Sequence, residues 1–201
     1  MLDHVFTDAI GSLRDAFEIA LLERQAFEEH FQNDVLLGDV TWQTSYGLPG
    51  EGLPPRVQAD ITCVWPTWSQ TAYRSWYVDE ELGESPKIEI EIVLRLQRLT
   101  QPPDPKVVMG ALPTRSPLIG GDRLLRTGPT VESIHSHDLN EQEFAIEISY
   151  EGVYEIDEEG LADGSALDKH FGSLGGWIAS TLVKAGDLGL DHTVPDEEFG
   201  A

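Results

Sequence analysis

The spacing of apolar and polar positions changes period several times along the chain, and each change predicts a new element. From residue 5 to about residue 32, apolar residues recur every three to four positions, at Phe6, Ile10, Leu13, Phe17, Leu21 and Phe27. That is the repeat of an amphipathic helix. Thr7 or Asp8 is placed to cap its start, and Gly11 weakens its first turns. The stripe is too apolar to stand alone in water, so this helix is expected to pack on a body or on a partner subunit.

After Asn33 the period falls to two. Residues 35–46 are rich in β-branched and aromatic side chains and end in the turn-forming run GLPGEGLPP. In residues 56–65 Val57, Ala59, Ile61, Cys63 and Trp65 face one way, with Gln58, Asp60 and Thr62 opposite. Pro66 interrupts this strand, and residues 71–78 (TAYRSWYV) continue in the same style, as a bent strand or a hairpin would. Residues 87–99 alternate most cleanly, with Ile88, Ile90, Ile92, Leu94 and Leu96 on one face and Glu89, Glu91, Arg95 and Gln97 on the other. Residues 100–130, rich in Pro, Gly and Arg, read as a long and partly mobile excursion. Two further strands are predicted at 131–136 and 143–156, the second with Gly152 at mid-strand, which implies a bulge or a close backbone approach. Helical period returns over residues 166–185, with Ser165 placed as N-cap and Gly186 as terminator. The expected fold class is therefore α+β: an antiparallel sheet of four strands or slightly more with a long C-terminal helix. It divides into an N-terminal helix over 1–33 and a single α+β domain over 34–201.

Composition narrows the partners. The 201 residues carry 13 Lys and Arg against 36 Asp and Glu, a formal charge of −23. Such a field repels nucleic-acid phosphates and anionic headgroups, leaving cationic segments, basic proteins and metal ions. No apolar run approaches the roughly 18 residues of a membrane span, and the N-terminus lacks a basic signal-peptide head, so no membrane insertion and a cytoplasmic location are expected. A lone cysteine, Cys63, rules out an internal disulfide and a cysteine-based zinc site. Alternating with apolar neighbours, it reads as a small core residue.

The most enzyme-like string is IHSHDLNE. His135, His137 and Glu141 have the spacing of the first half of a cupin metal motif, and two histidines two apart on a strand point the same way toward one metal. The second half-motif is missing, and His170 is the nearest remaining candidate. There is no nucleophile elbow, phosphate loop or dinucleotide fingerprint. The glycines of GSLGGW (172–177) lie inside helical periodicity and read as close helix packing. No cofactor is called for. Trp42, Trp65, Trp68, Tyr73, Trp76 and Tyr77 cluster in segments with few charges. They fit a core, and they equally fit an apolar groove that accepts extended chain.

One segment carries a family likeness. FAIEISYEGVYEI resembles the strand of the SecB export chaperones that runs F-x-x-E-x-x-x-x-G-x-aromatic-x-I, here Phe144, Glu147, Gly152, Tyr154 and Ile156. IEIEIVLRLQ resembles the long strand before it, LLGDVTWQT and PPRVQADITCVW are similar to the first two strands, and IASTLVKAGDLGLD is similar to the end of the long helix and its exit loop. The resemblance covers about half of the chain. It implies a four-stranded antiparallel sheet with a long helix, assembled as a dimer or a dimer of dimers. It also implies an ATP-independent holdase that binds unfolded or partly folded polypeptide in an apolar groove, for export or for a dedicated client such as an antitoxin. The groove candidates are Trp65, Trp68, Trp76 and Tyr77. Positions that contact the translocase ATPase SecA in that family fall on Asp39 and Glu147, while a third acidic position is Gln43 here. The N-terminal helix and the excursion are additions. An assembly subunit of a phage or secretion machine and a cupin-like metal enzyme are the alternatives.

Overall fold

The computed structural model describes residues 4–21, 27–36, 38–48, 54–77, 84–135, 142–156 and 164–193. In chain order the elements are α1 (His4–Leu21), β1 (Phe27–Leu36), β2 (Asp39–Gly47), β3 (Val57–Trp65), α2 (Thr67–Tyr77), β4 (Lys87–Leu99), α3 (Pro105–Ala111), β5 (Leu125–Arg126), β6 (Thr130–His135), β7 (Gln142–Glu155) and α4 (Gly164–Gly186). The strands form one antiparallel sheet in the order β1-β2-β3-β4-β7, and the strip beyond β7 is shared by the two-residue β5 and by β6. Sheet and helices of this kind make an α+β protein, as the periodicity predicts.

Strict alternation builds the two faces. On β3 and β4 every second residue from Val57 to Trp65 and from Ile88 to Leu96 is buried. On β7 Ile146, Ile148, Tyr150 and Tyr154 continue the same face. Burying each aliphatic side chain there contributes about 1.5–3 kcal/mol relative to leaving it in water. Helices α1 and α4 cover this inner face. Phe6 meets Trp65 edge-on, with ring centroids 5.7 Å apart, and Phe17 lies 4.1 Å from Tyr46. Since Tyr46 pairs with Ala59 and Trp65 with Val40, these contacts lie at opposite ends of the β2–β3 pair, and α1 runs along it. On α4, His170 and Phe171 pack on Tyr154, and Trp177 on Tyr150. The glycines explain how the two helices touch. A Cβ on Gly175 would stand 2.2 Å from the Leu13 carbonyl oxygen, so only glycine permits this approach.

Several expectations need correction. The first helix ends at Leu21, and Phe27 begins β1 rather than closing the helical stripe; Thr7 and Asp8 lie inside the helix, which starts at His4. The boundary at residue 33 falls within β1, and the buried face of α1 is part of the same core as the sheet. Residues 35–46 are the parts of two strands around a turn at Gly38, whose φ of +92° suits glycine. Residues 71–77 are helical: Ser69, Gln70 and Tyr73 turn inward at helical spacing, and the Pro66 carbonyl accepts from the Gln70 N–H. Their aromatic and β-branched content mimics a strand, but a cap and a buried face decide otherwise.

The excursion over 100–129 is folded. Asp104 caps α3 through the Lys106 N–H, Arg126 donates to the Met109 and Leu112 carbonyls, and Val108, Leu112, Ile119 and Leu124 are buried. Gly152 keeps regular pairing with Ile90 and makes room for this segment. A Cβ there would meet the Leu124 side chain at 2.8 Å and the Arg123 carbonyl at 3.2 Å, so close approach, not a bulge, explains it. The bulge lies instead at the end of β4, between Leu96 and Leu99, where buried Arg98 takes φ +60°.

Candidate functional site

The side of the sheet away from α1 and α4 carries the alternate residues of each strand. Gln58, Asp60, Thr62 and Val64 of β3 face Glu89, Glu91, Val93 and Arg95 of β4, and these in turn face Glu147, Ser149, Glu151 and Val153 of β7. Arg95 and Glu147 are register partners and form an ion pair, with Glu132 of β6 3.1 Å from the same guanidinium. Asp60 accepts from Ser45 and, at 2.7 Å, from Gln58. A shallow trough of about 540 Å3 runs over the middle of this face, lined by Thr62, Val64, Glu89, Glu91, Glu151 and Val153. Glu91 and Glu151 are exposed and directly opposite each other. Like charges in that relation disfavour the pairing, so the arrangement is suited to a cationic segment laid across the strands, with the valines supplying apolar contact. Leu125 of β5, 61% exposed, lies next to Glu151 in register.

The two acidic positions singled out from sequence have partners within the fold. Asp39 caps α2: its carboxylate accepts from the Thr67 backbone N–H at 2.6 Å and from the Thr67 hydroxyl at 2.8 Å, and these bonds hold it below the usual carboxylate range. Glu147 is paired to Arg95. Gln43 reaches Thr62 at 3.5 Å. The carboxylates that face water in the trough are Glu89, Glu91 and Glu151; the sequence pattern places Glu89 and Glu91 on the polar side of one strand and does not single out Glu151.

The aromatic candidates separate. Trp65 is 2% exposed and lies between Phe6 and Tyr73, so it is a core residue and not the wall of an open groove in this state. Its indole N–H finds no acceptor among the described residues. Trp68 is 42% exposed on α2. Trp76 and Tyr77 belong to α2, and their side chains lie outside the described residues. Trp42 and Tyr46 are buried on the same inner face of the β2–β3 pair. What sequence reading missed is the cover: Phe6 and Phe17 on the N-terminal helix match the ends of the strand pair, a relation of 11 helical positions (about 16 Å at 1.5 Å per residue) that periodicity alone does not disclose.

Of the string nominated for metal, His135 is exposed at the end of β6, while His137 and Glu141 lie outside the described residues. Among the described residues no three His, Cys, Asp or Glu side chains gather in a way that could hold a metal ion. Burial pushes the Cys63 thiol up to about 12, which keeps it protonated and unreactive. No helix among the described residues is long and apolar enough to cross a membrane. Comparison of the chain with family models, curated proteins and solved structures finds no match.

Proposed function

We propose that this chain is an ATP-independent holdase of the SecB type, cytoplasmic and oligomeric, which keeps non-native polypeptide in solution and docks a basic partner on the bare face of its sheet. The observation that carries the reading is that face: strands β2, β3, β4 and β7 lie side by side in the sheet, and among the described residues α1 and α4 pack on the opposite side of them. Their other side presents exposed carboxylates between valines. A surface with charge and apolar contact in register suits the binding of an extended chain. Glu89, Glu91 and Glu151 are the natural contacts for a SecA-type partner, since Asp39 and Glu147 are engaged by Thr67 and Arg95. The high negative charge serves a holdase by keeping loaded copies apart.

Diluting a chemically denatured reporter into the purified chain without nucleotide tests this reading. Light scattering is expected to fall at near-stoichiometric ratios, and a monomer with no effect at tenfold excess contradicts it. One observation favours the alternative of an assembly subunit: β1, ten residues long, ends the sheet with no second neighbour among the described residues. Uniform rings or tubes by electron microscopy would support that alternative instead.

A further inference from the structure

The aromatic seat under α1 has the form of a binding groove that is already filled. Its floor is the β2–β3 pair, with Trp65 at one end and Tyr46 at the other, and one wall is α4 at Gly172 and Gly175. The wall is shaped for a helical backbone. The ideal Cβ position of Gly175 lies 2.2 Å from the Leu13 carbonyl oxygen and 3.2 Å from the Phe17 nitrogen, so the contact is with main-chain atoms that any helix would present. The side chains that enter the seat are Phe6, Ile10, Leu13 and Phe17, all buried and on one face of α1.

Two features tie the order of α1 to the seat it fills. By itself it is a poor helix: it contains Val5, Thr7, Ile10, Gly11 and Ile19, with no acidic residue in its first turn and no basic one in its last to compensate the dipole. A helix of 18 residues with that composition owes its order to the seat it occupies. Beneath it, the buried indole N–H of Trp65 has no acceptor among the described residues, and opening would expose it to water. One polar tie between the two helices, the Ser12 hydroxyl to Asp168 at 2.6 Å, is exposed and readily exchanged for water.

We propose that α1 is a displaceable lid that fills the client seat as a built-in ligand, and that the segments replacing it are amphipathic and helix-forming, with apolar residues at the spacing of Phe6, Ile10, Leu13 and Phe17. This rests on the holdase reading and names the site and class of its client. Because the wall reads main chain, the seat tolerates many sequences, and because α1 covers it at rest, the aromatic floor does not drive copies together.

The test is a reversible lock in the full-length chain. Ser12→Cys with Asp168→Cys, oxidised, ties α1 to α4, and a thiol reductant frees it. A fluorescently labelled peptide with the sequence of residues 4–21 is then titrated and followed by anisotropy. It is expected to bind the wild-type chain and the reduced variant saturably, and the oxidised variant at least tenfold more weakly. Equal binding to the oxidised form, or no binding to the wild type and the reduced form, overturns the lid. The reporter-aggregation assay on the same samples separates the two claims. Protection that survives the lock leaves a holdase without a lid. Peptide exchange without protection by any form leaves a lid without a holdase.

Discussion

Arg95 and Glu147 are direct register partners across β4 and β7, and their ion pair lies on the bare face of the sheet with Glu132 as a second carboxylate on the same guanidinium. One cation thus holds two acids in a molecule where acids outnumber bases by 36 to 13. Arg95→Ala is expected to lower the unfolding free energy by about 1 kcal/mol, because it leaves two partly buried carboxylates facing each other. Urea unfolding measures it, and the loss should shrink as salt screens the remaining charges.

The neighbouring pair is the opposite case. Glu91 and Glu151 face each other exposed, with like charge. Glu91→Gln is expected to stabilise the fold by about 0.2–1 kcal/mol while weakening binding of a basic peptide to the sheet. Opposite signs in thermal unfolding and in a peptide titration support a docking role for this face, and a loss of stability argues against it.

The β core was legible because a half-buried strand writes its two faces directly into the chain, as in β4 from Ile88 to Leu96, and the inner faces of α1 and α4 were legible for the same reason. α2 was not, because Thr71, Tyr73 and Trp76 have strand-like side chains while the deciding interactions, Thr67 with Asp39 and Gln70 with the Gly38 carbonyl, come from 28 and 32 positions away. Where α1 ends was missed since Phe27 falls near helical phase with Leu13, two heptads earlier, although it begins β1. As for the site, Glu89 and Glu91 were visible as part of a polar face while Glu151 was not, and whether Trp65 lined a groove or a core depended on what covers it, which is a tertiary fact.

His192 ties the segment after α4 to the end of β4. Its Nδ1–H donates to the Gln97 carbonyl at 2.9 Å, the Thr193 N–H donates to the Arg98 carbonyl at 2.7 Å, and the Thr100 N–H to Asp191 at 3.1 Å. Burial lowers the His192 pKa below its ordinary 6.5, and Arg56 and Arg98 act in the same direction, against Asp191 and the Gln97 carbonyl. The folded chain therefore binds the proton less readily than the unfolded one, so this contribution is intact above about 6.5 and is lost as pH falls through the unfolded and then the folded pKa. Denaturation between pH 7.5 and 5 should show a loss of stability that His192→Asn largely removes.

Two glycines in the helix pair should respond in opposite ways to a single methyl group. Gly11 lies in the interior of α1 with nothing near its Cβ position, so Gly11→Ala is expected to stabilise by about 0.5–1 kcal/mol. Gly175→Ala drives a methyl into the Leu13 carbonyl and is expected to destabilise by about 1–3 kcal/mol. Calorimetric melting of both variants checks the pair.

The most direct measurement of the account is backbone hydrogen exchange of the full chain with and without an unfolded polypeptide, in the absence of nucleotide. Faster exchange in α1 together with an unchanged sheet core at β3 and β4 is the predicted result, because a client that enters the proposed seat displaces α1. An exchange pattern identical with and without the polypeptide, at concentrations well above those of the aggregation assay, would contradict it.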